Sequence, residues 1–451
     1  MMETKTHNKY LKFLRFQNVQ KWDIKRYFTT QIKSAFEIID LSNVITEQKN
    51  KYSISDPQTN YGILGVNNNF GIFDAYIENG SKIKQKYKRM EYDWIAYNPY
   101  RVNVGSIGIR QEINHYEYIS PAYVVFSCKK EIIPRFLFLV MKTNLFHNQI
   151  CENTTGSVRQ NLSYDILKTL QIPLPSTQEQ NSLISIYDEK IKQAVTLKKQ
   201  ASEIEINIEK YLINVLDIQR DNIQDYYEKK EFLQKVSFRN IVEWGINKIK
   251  KSQSIKSAYD IFKIKDIKLS AFRGKSPVYK EGTTSYILNQ KCNKWDFIDK
   301  RYMKSVDEKW LSNIESSFFT KEGDILINST GEGTIGRSSY ISSDSVDLLC
   351  DTHILLLRLK QTVNPHYFVY FFNSSIGQEQ VEGVKSAQAT KQTELGIDNL
   401  CKITIPLPDK SIQDSIVAHI NTEKEKIKYM KAEAERLRNE ALTEFEKSIF
   451  E

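Results

Sequence analysis

The sequence predicts an α+β chain: two similar mixed α/β domains separated by two long helices that form an antiparallel coiled coil, the halves related as a pseudo-two-fold internal repeat. The first observation behind this is duplication. RFQNVQKWDI (Arg15 to Ile24) returns as SFRNIVEWGI (Ser237 to Ile246), with Trp22 and Trp244 aligned 222 positions apart. IKSAFEI at Ile32 to Ile38 returns as IKSAYDI at Ile255 to Ile261, and IPLP at Ile172 to Pro175 returns at Ile405 to Pro408. The offset drifts upward to 233 through a few loop insertions in the second copy, so a whole domain is repeated and not a short solenoid unit. The second observation is that each half runs into a stretch without Gly or Pro, from Ser176 to Trp244 and from Asp409 to Glu451. The third is length: 451 residues give two halves that can each bury a core.

The elements follow in order. Short runs such as Tyr61 to Val66, Asp93 to Tyr97 and Tyr123 to Phe126 are bounded by Gly, Asn and Pro, as strands and turns are. The segments after Pro134 (RFLFLVMKTNLFHNQI) and after Pro365 (HYFVYFFNSSIGQEQV) read as matching helices. Apolar residues at 187, 191, 194, 201, 204, 208, 211 and 215 lie in alternating threes and fours, with Lys198 interrupting, which lays one stripe along a helix. Ser176 with Glu179, and Thr177 with Gln180, both fit a capping box at its start. In the second copy Ile416, Ile420, Ile427, Met430, Ala434, Leu437 and Ala441 form the same stripe. Helices of about 40 residues at about 1.5 Å each run roughly 60 Å and gain stability by pairing. A two-fold relation between the halves makes that pair antiparallel.

The 64 Lys and Arg against 55 Asp and Glu leave a charge of +9 and a pI near 8.9, which suits a polyanionic partner. Five scattered cysteines, Cys128, Cys151, Cys292, Cys350 and Cys401, show neither a disulfide framework nor zinc spacing and fit a reducing compartment. The opening residues lack a secretory signal pattern, and the longest apolar run, Phe136 to Met141, is far short of a membrane span. The expectation is a soluble cytoplasmic protein with no membrane partner.

Catalytic patterns do not assemble. Gly331, Gly333 and Gly336 after Asp324-Ile-Leu-Ile-Asn formally make GxGxxG, but the following Arg337-Ser-Ser is a poor helix start, so a tight turn between strands is expected there. The first half keeps the glycine pair Gly105 and Gly108 at the matching place, and Arg337 and Arg110 become candidate phosphate ligands beside these turns. Asn98-Pro99-Tyr100 lacks the second proline of an adenine-methyltransferase tetrapeptide, and the six histidines show no metal spacing. The run from Lys82 to Arg89 reads either as a solvated edge strand or as a backbone-tracking stripe led by Lys86, Lys88 and Arg89. Arg273 and Lys275 of Phe272-Arg-Gly-Lys-Ser-Pro277 suit a phosphate or base contact. Arg159-Gln160 and Lys391-Gln392 align between the copies, as shared contacts or shared turns.

These residues together resemble a known family. GDILINSTGEGTIGR, a strand like LCDTHILLLRL, and AxxxQxxLxxxxLxxIxIPLP followed by a Gln-containing helix start are similar to the specificity (S) subunit of type I restriction-modification systems. The likeness is clearest over residues 260 to 440 and weaker over 90 to 215, where YDWIAYNPYRVNVGSIG stands in place of the GDIL signature. The resemblance implies target-recognition domains at 1–175 and, with a linker, 218–408, each reading half of an interrupted double-stranded DNA sequence. It implies spacer helices at 176–217 and 409–451 that act as a ruler and dock two modification (methyltransferase) subunits. It further implies a chain that is not itself an enzyme and holds no cofactor, S-adenosylmethionine belonging to the modification subunits and ATP with Mg to restriction (translocase/nuclease) subunits where the system has them. A specificity chain of a type IIB-like or phage-defence complex, or a coiled-coil scaffold without DNA reading, are the alternatives.

Overall fold

A computed structural model of the protein describes residues 32–68, 71–153, 161–219, 255–331, 333–387 and 393–451. The repeat at Arg15 to Ile24 and Ser237 to Ile246, with Trp22 and Trp244, lies outside them. The chain divides into two compact units, one ending at Lys198 and completed by Lys431–Glu451, the other running from Lys199 to Met430.

In the first unit, strands Ile45–Glu47, Val124–Cys128, Ile95–Tyr97 and Ile107–Ile109 form an antiparallel sheet in that order. Alternate side chains leave on opposite faces. Ile95, Tyr97, Ile107, Ile109 and Phe126 therefore face helices Pro134–Lys142 and Asn144–Asn153, while Ala96 and Val125 join Leu64, Ile72 and Ile119 on the other side. That other side is a five-stranded sheet in the order Lys51–Tyr52, Tyr87–Arg89, Tyr118–Ile119, Asn60–Asn67, Gly71–Asn79. The basic run thus enters an inner strand of the sheet, and the edge belongs to Lys51–Tyr52.

The second unit repeats the plan with strands Lys268–Arg273, Ile354–Leu359, Ile325–Asn328 and Ser338–Tyr340. Ile354–Leu359 is central and covered on both faces, which is why ILLLRL reads as an apolar run instead of an alternation. Leu355, Leu357, Ile325 and Ile327 meet the helices Pro365–Asn373 and Ser375–Val384; Leu326, Ile354 and Leu356 pack on Leu288 and Cys350. The IKSA and IPLP segments of each copy flank or enter a two-stranded ladder, Ile38–Asp40 with Gln171–Pro173 and Ile261–Lys263 with Thr404–Pro406.

Buried amides repeat too. Gln180 accepts from the Ile133 N–H (2.8 Å) and donates to the Glu131 and Pro175 carbonyls (3.0 and 2.9 Å). Gln413 accepts from the Asn364 N–H (2.7 Å) and donates to the Thr362 and Pro408 carbonyls (3.0 and 2.8 Å). Gln149 and Gln380 likewise bridge the second short helix to Gln171 and Thr404.

The long helices span Thr177–Val215 and Lys410–Phe450. Ser176 and Glu179 make the expected capping box, with the Ser176 N–H on Glu179 at 2.8 Å and the Glu179 N–H on the Ser176 hydroxyl at 3.3 Å. The second candidate box fails because Gln180 is turned into the core instead. Every position of both apolar stripes is buried or half-buried. Inside the first unit the pairing runs antiparallel: Lys190 meets Glu444 at 2.5 Å, Lys198 meets Glu435 at 3.5 Å, and Ala194 packs with Ala434 and Leu437 between them. Inside the second, Tyr211 lies on the His419 ring at 3.9 Å, and Leu212 and Leu216 share a core with Ile416 and Ile420. Each IKSA serine binds the end of a long helix in its own unit: Ser34 donates to the Ile449 carbonyl and Ser257 to that of Leu216, both at 2.5 Å. No helix among the described residues is long and apolar enough to cross a membrane.

Candidate nucleic-acid interface

The glycine-rich motif of the second unit is the turn of a hairpin. Ile325–Asn328 pairs antiparallel with Ser338–Tyr340, and Gly331, Gly333 and Gly336 all have positive φ (100°, 72° and 82°), which a side chain would resist. The strand-turn-strand expectation holds, and the geometry is not that of a dinucleotide site.

The first unit carries the same hairpin where its sequence had lost the signature. Asp93 donates its N–H to the Arg110 carbonyl (2.9 Å) and Arg110 returns one to Trp94 (2.9 Å). In the second unit Gly323 donates to Ile341 (3.0 Å) and Ile341 to Asp324 (2.8 Å). Asp93 therefore occupies the left-handed place of Gly323, with φ of 63° against 88°, and Trp94 stands where Asp324 does. Asp324 is a framework residue. Its carboxylate accepts from Nε and Nη2 along one edge of the Arg358 guanidinium (3.0 to 3.3 Å), and Arg358 also donates to the Ser317 and Phe319 carbonyls. Burial pushes the Asp324 carboxyl up against the pull of Arg358.

At the turn end of the second sheet, register brings Arg273, Asn328, Ser338 and Ile354 together. Arg273 pairs with Glu394, and Lys275 sits 3.4 Å from the centre of the Phe318 ring. Gly274 between them packs on the Cys350 and Asp351 carbonyls so closely that a Cβ would lie 2.2 and 2.1 Å from their oxygens. Thr330 and His353 share a 2.7 Å hydrogen bond, with Gln290 beside Thr330 at 3.4 Å. Arg337 stacks over Trp295 at 5.5 Å and donates to the Gly333 carbonyl at 3.3 Å. Three of the expected contacts, Arg273, Lys275 and Arg337, thus share one sheet end.

In the first unit the corresponding turn is 98–106, presenting exposed Tyr100, Arg101 and Val104. Arg110 is not part of it. It follows the strand at the opposite end of the hairpin, buried, with its guanidinium on the Met90 carbonyl and over the Tyr92 ring at 4.4 Å. The glycine pair aligned it with Arg337, but by hydrogen bonding it stands at the place of Ile341, four residues beyond Arg337. Lys88 is also inward: it is 6% exposed and its ammonium donates to the Tyr123 carbonyl at 2.9 Å. Burial pulls its pKa down, Glu47 opposes this, and Lys51 and Lys49 add to the lowering. Lys51 is its direct cross-strand partner. Lys49 and Lys51, which sequence reasoning did not single out, are the exposed cations beside this sheet end; their signal was the chain position of Lys51 relative to Lys275. Arg89 is exposed and paired with Glu117 at 2.9 Å; Lys86 is exposed just before its strand.

Arg159, Gln160, Lys391 and Gln392 lie outside the described residues. The residues that follow them do repeat: Leu162 donates to the Pro99 carbonyl (3.0 Å) and Leu395 to that of Ser329 (2.8 Å), each at the start of its turn. Among the described residues no His, Cys, Asp and Glu group could hold a metal ion.

The sequence matches the Type I restriction modification DNA specificity domain twice, over residues 32–207 and 256–439. A chain solved in work on the complex assembly and conformational transition of a type I R-M system is similar at a TM-score of 0.58 and 14% identity, covering 93% of this chain and 98% of that one. The HsdS subunit from Thermoanaerobacter tengcongensis matches at 0.44 and 13% identity over 93% and 98% of the two chains. The type I restriction-modification S subunit from M. genitalium matches at 0.42 and 12% over 92% and 96%. No curated protein matches.

Proposed function

Since this chain belongs to the type I restriction-modification DNA specificity family, we propose that each of its two units reads one half of an interrupted double-stranded DNA target. The target-recognition regions are then 1–175 and 218–408, and the helices 176–217 and 409–451 dock two modification (methyltransferase) subunits. The chain supplies specificity and no bond-making chemistry. S-adenosylmethionine stays with the modification subunits, and ATP with Mg stays with restriction subunits where the system has them.

The observation that carries this reading is that two equivalent sheets end in hairpin turns surrounded by different side chains. The framework around the turns is repeated down to Gln180 and Gln413, and Lys49 and Lys51 stand at the places of Arg273 and Lys275, while the turns themselves differ, with Tyr100 and Arg101 at one and Arg337 beside His353 at the other. A constant support with variable tips is what two readers of unlike half-sites need, since phosphate contacts position the protein and base-edge contacts specify. Lys88 and Arg110, being buried, support this surface instead of forming it.

The test is binding of the full chain to duplex DNA across a salt series. Affinity should fall linearly on logarithmic axes, by roughly a thousandfold between about 50 and 200 mM salt if some six phosphates are neutralised. Reversing charge at Arg337 and Lys275 should flatten that slope and leave assembly with the methyltransferase intact. A flat salt response would sink the electrostatic reading, and loss of assembly on charge reversal would favour a scaffold.

A further inference from the structure

The second unit anchors a turn, Asn293–Ile298, with a dense set of buried hydrogen bonds. Asn293 is fully buried and uses its whole amide: it donates to the Leu326 carbonyl (3.3 Å), Asn328 (3.0 Å) and the Arg337 carbonyl (2.9 Å), and accepts from Ser339 (2.5 Å). Asp296 adopts a left-handed φ of 72°, donates its N–H to the Ser338 carbonyl (3.1 Å), accepts from Asn373 (3.0 Å) and pairs with Lys424 of the second long helix. Asn373 in turn accepts from the Ser338 N–H (3.1 Å) and hydroxyl (2.9 Å). On this anchored turn two aromatic side chains stand in solvent, Trp295 at 41% and Phe297 at 58% exposure.

Exposed aromatics on a pre-ordered turn are the composition of a binding hot spot, because little freedom is lost when they are covered. The surrounding charge names the partner. Each carboxylate nearby is already paired, Asp296 with Lys424, Asp299 with Arg301 and Asp344 with Lys300. Lys291, Lys294 and Arg337 make no salt bridge among the described residues; Lys294 lies over Tyr302 (4.4 Å) and Arg337 over Trp295, with the Arg337 Nε buried and unpaired. The surplus is cationic and contiguous with the hairpin turn.

We propose that the Asn293–Ile298 turn is a second DNA-contacting element of this unit, in which Trp295 and Phe297 pack on the sugars and bases of the duplex while Lys294 and Arg337 take the flanking phosphates. This rests on the DNA-reading function above and adds Trp295 and Phe297 as affinity-determining residues.

The experiment compares the full chain with Trp295→Ala, Phe297→Ala and Trp295→Phe on a duplex carrying the motif methylated in cells that express the chain, and on a scrambled duplex. Leu269→Ala, an exposed apolar side chain at the other end of the same sheet, is the control. The two alanine variants should each bind the motif duplex about tenfold more weakly, Trp295→Phe should keep most of the affinity, and melting and methyltransferase assembly should be unchanged. Should Trp295→Ala lower the melting temperature, Phe297→Ala and Trp295→Phe decide. Wild-type affinity in both alanine variants overturns the proposal, as does lost assembly at unchanged DNA affinity, which would assign the turn to a protein partner. If the unaltered chain binds the motif duplex no better than the scrambled one, the DNA-reading function itself fails and takes this inference with it.

Discussion

Replacing Asp324 by alanine is expected to cost the second unit about 3–5 kcal/mol, because it strands a buried guanidinium. The Arg358 side chain is 17% exposed and that of Asp324 4%, and the pair is bidentate. Without the carboxylate, Arg358 keeps only the Ser317 and Phe319 carbonyls and the Phe272 face, so its charge remains desolvated and uncompensated. For a unit of this size the melting temperature should fall by roughly 6–20 °C. The double variant Asp324→Ala with Arg358→Met should recover much of the loss, since a buried pair replaced by apolar groups is often near neutral. A double variant as unstable as the single one would contradict this, and so would an unaffected single variant. The first unit already shows that the fold tolerates the pair's absence, with Trp94 in the place of Asp324.

Gln413→Leu and Gln180→Leu should each cost about 3 kcal/mol or more, and by similar amounts. The side-chain volume is kept, but each change leaves one amide N–H and two carbonyls unsatisfied in the interior, at about 1–3 kcal/mol per group. Both glutamines are fully buried, and both tie the start of a long helix to the loop that precedes a short one. Chemical denaturation of the two variants checks this. If one proved silent while the other collapsed, the two supports would not be energetically equivalent, whatever their geometry.

The long helices were legible because a 3.6-residue period over forty positions leaves little ambiguity, and the capping serine sits directly after IPLP. The sheet strands were legible as apolar runs. The first-half hairpin was not, because its identity rests on backbone conformation: an aspartate can hold the left-handed angle that Gly323 holds, and a tryptophan can fill the place of an ion pair. Lys88 and Arg110 show the other limit. Alternating cations say which face of a strand they share but not whether a second layer covers it, and an arginine four residues further along a hairpin, at the place of Ile341, reaches its opposite end. Arg101 lay inside the segment that broke the pattern and was passed over for that reason. Trp295 and Phe297 carry no sequence signal of their own; their meaning comes from Asn293, Asp296 and Asn373, which converge only in three dimensions.

The role proposed for this chain is to give a methyltransferase a two-part address. The measurement that tests it most directly is a genome-wide methylation map of cells expressing the chain with its neighbouring methyltransferase, against cells with the methyltransferase alone. A new methylated motif in two parts with an unspecified spacer, present only with the chain, is the expected result. Identical maps from a complex shown to assemble would contradict it.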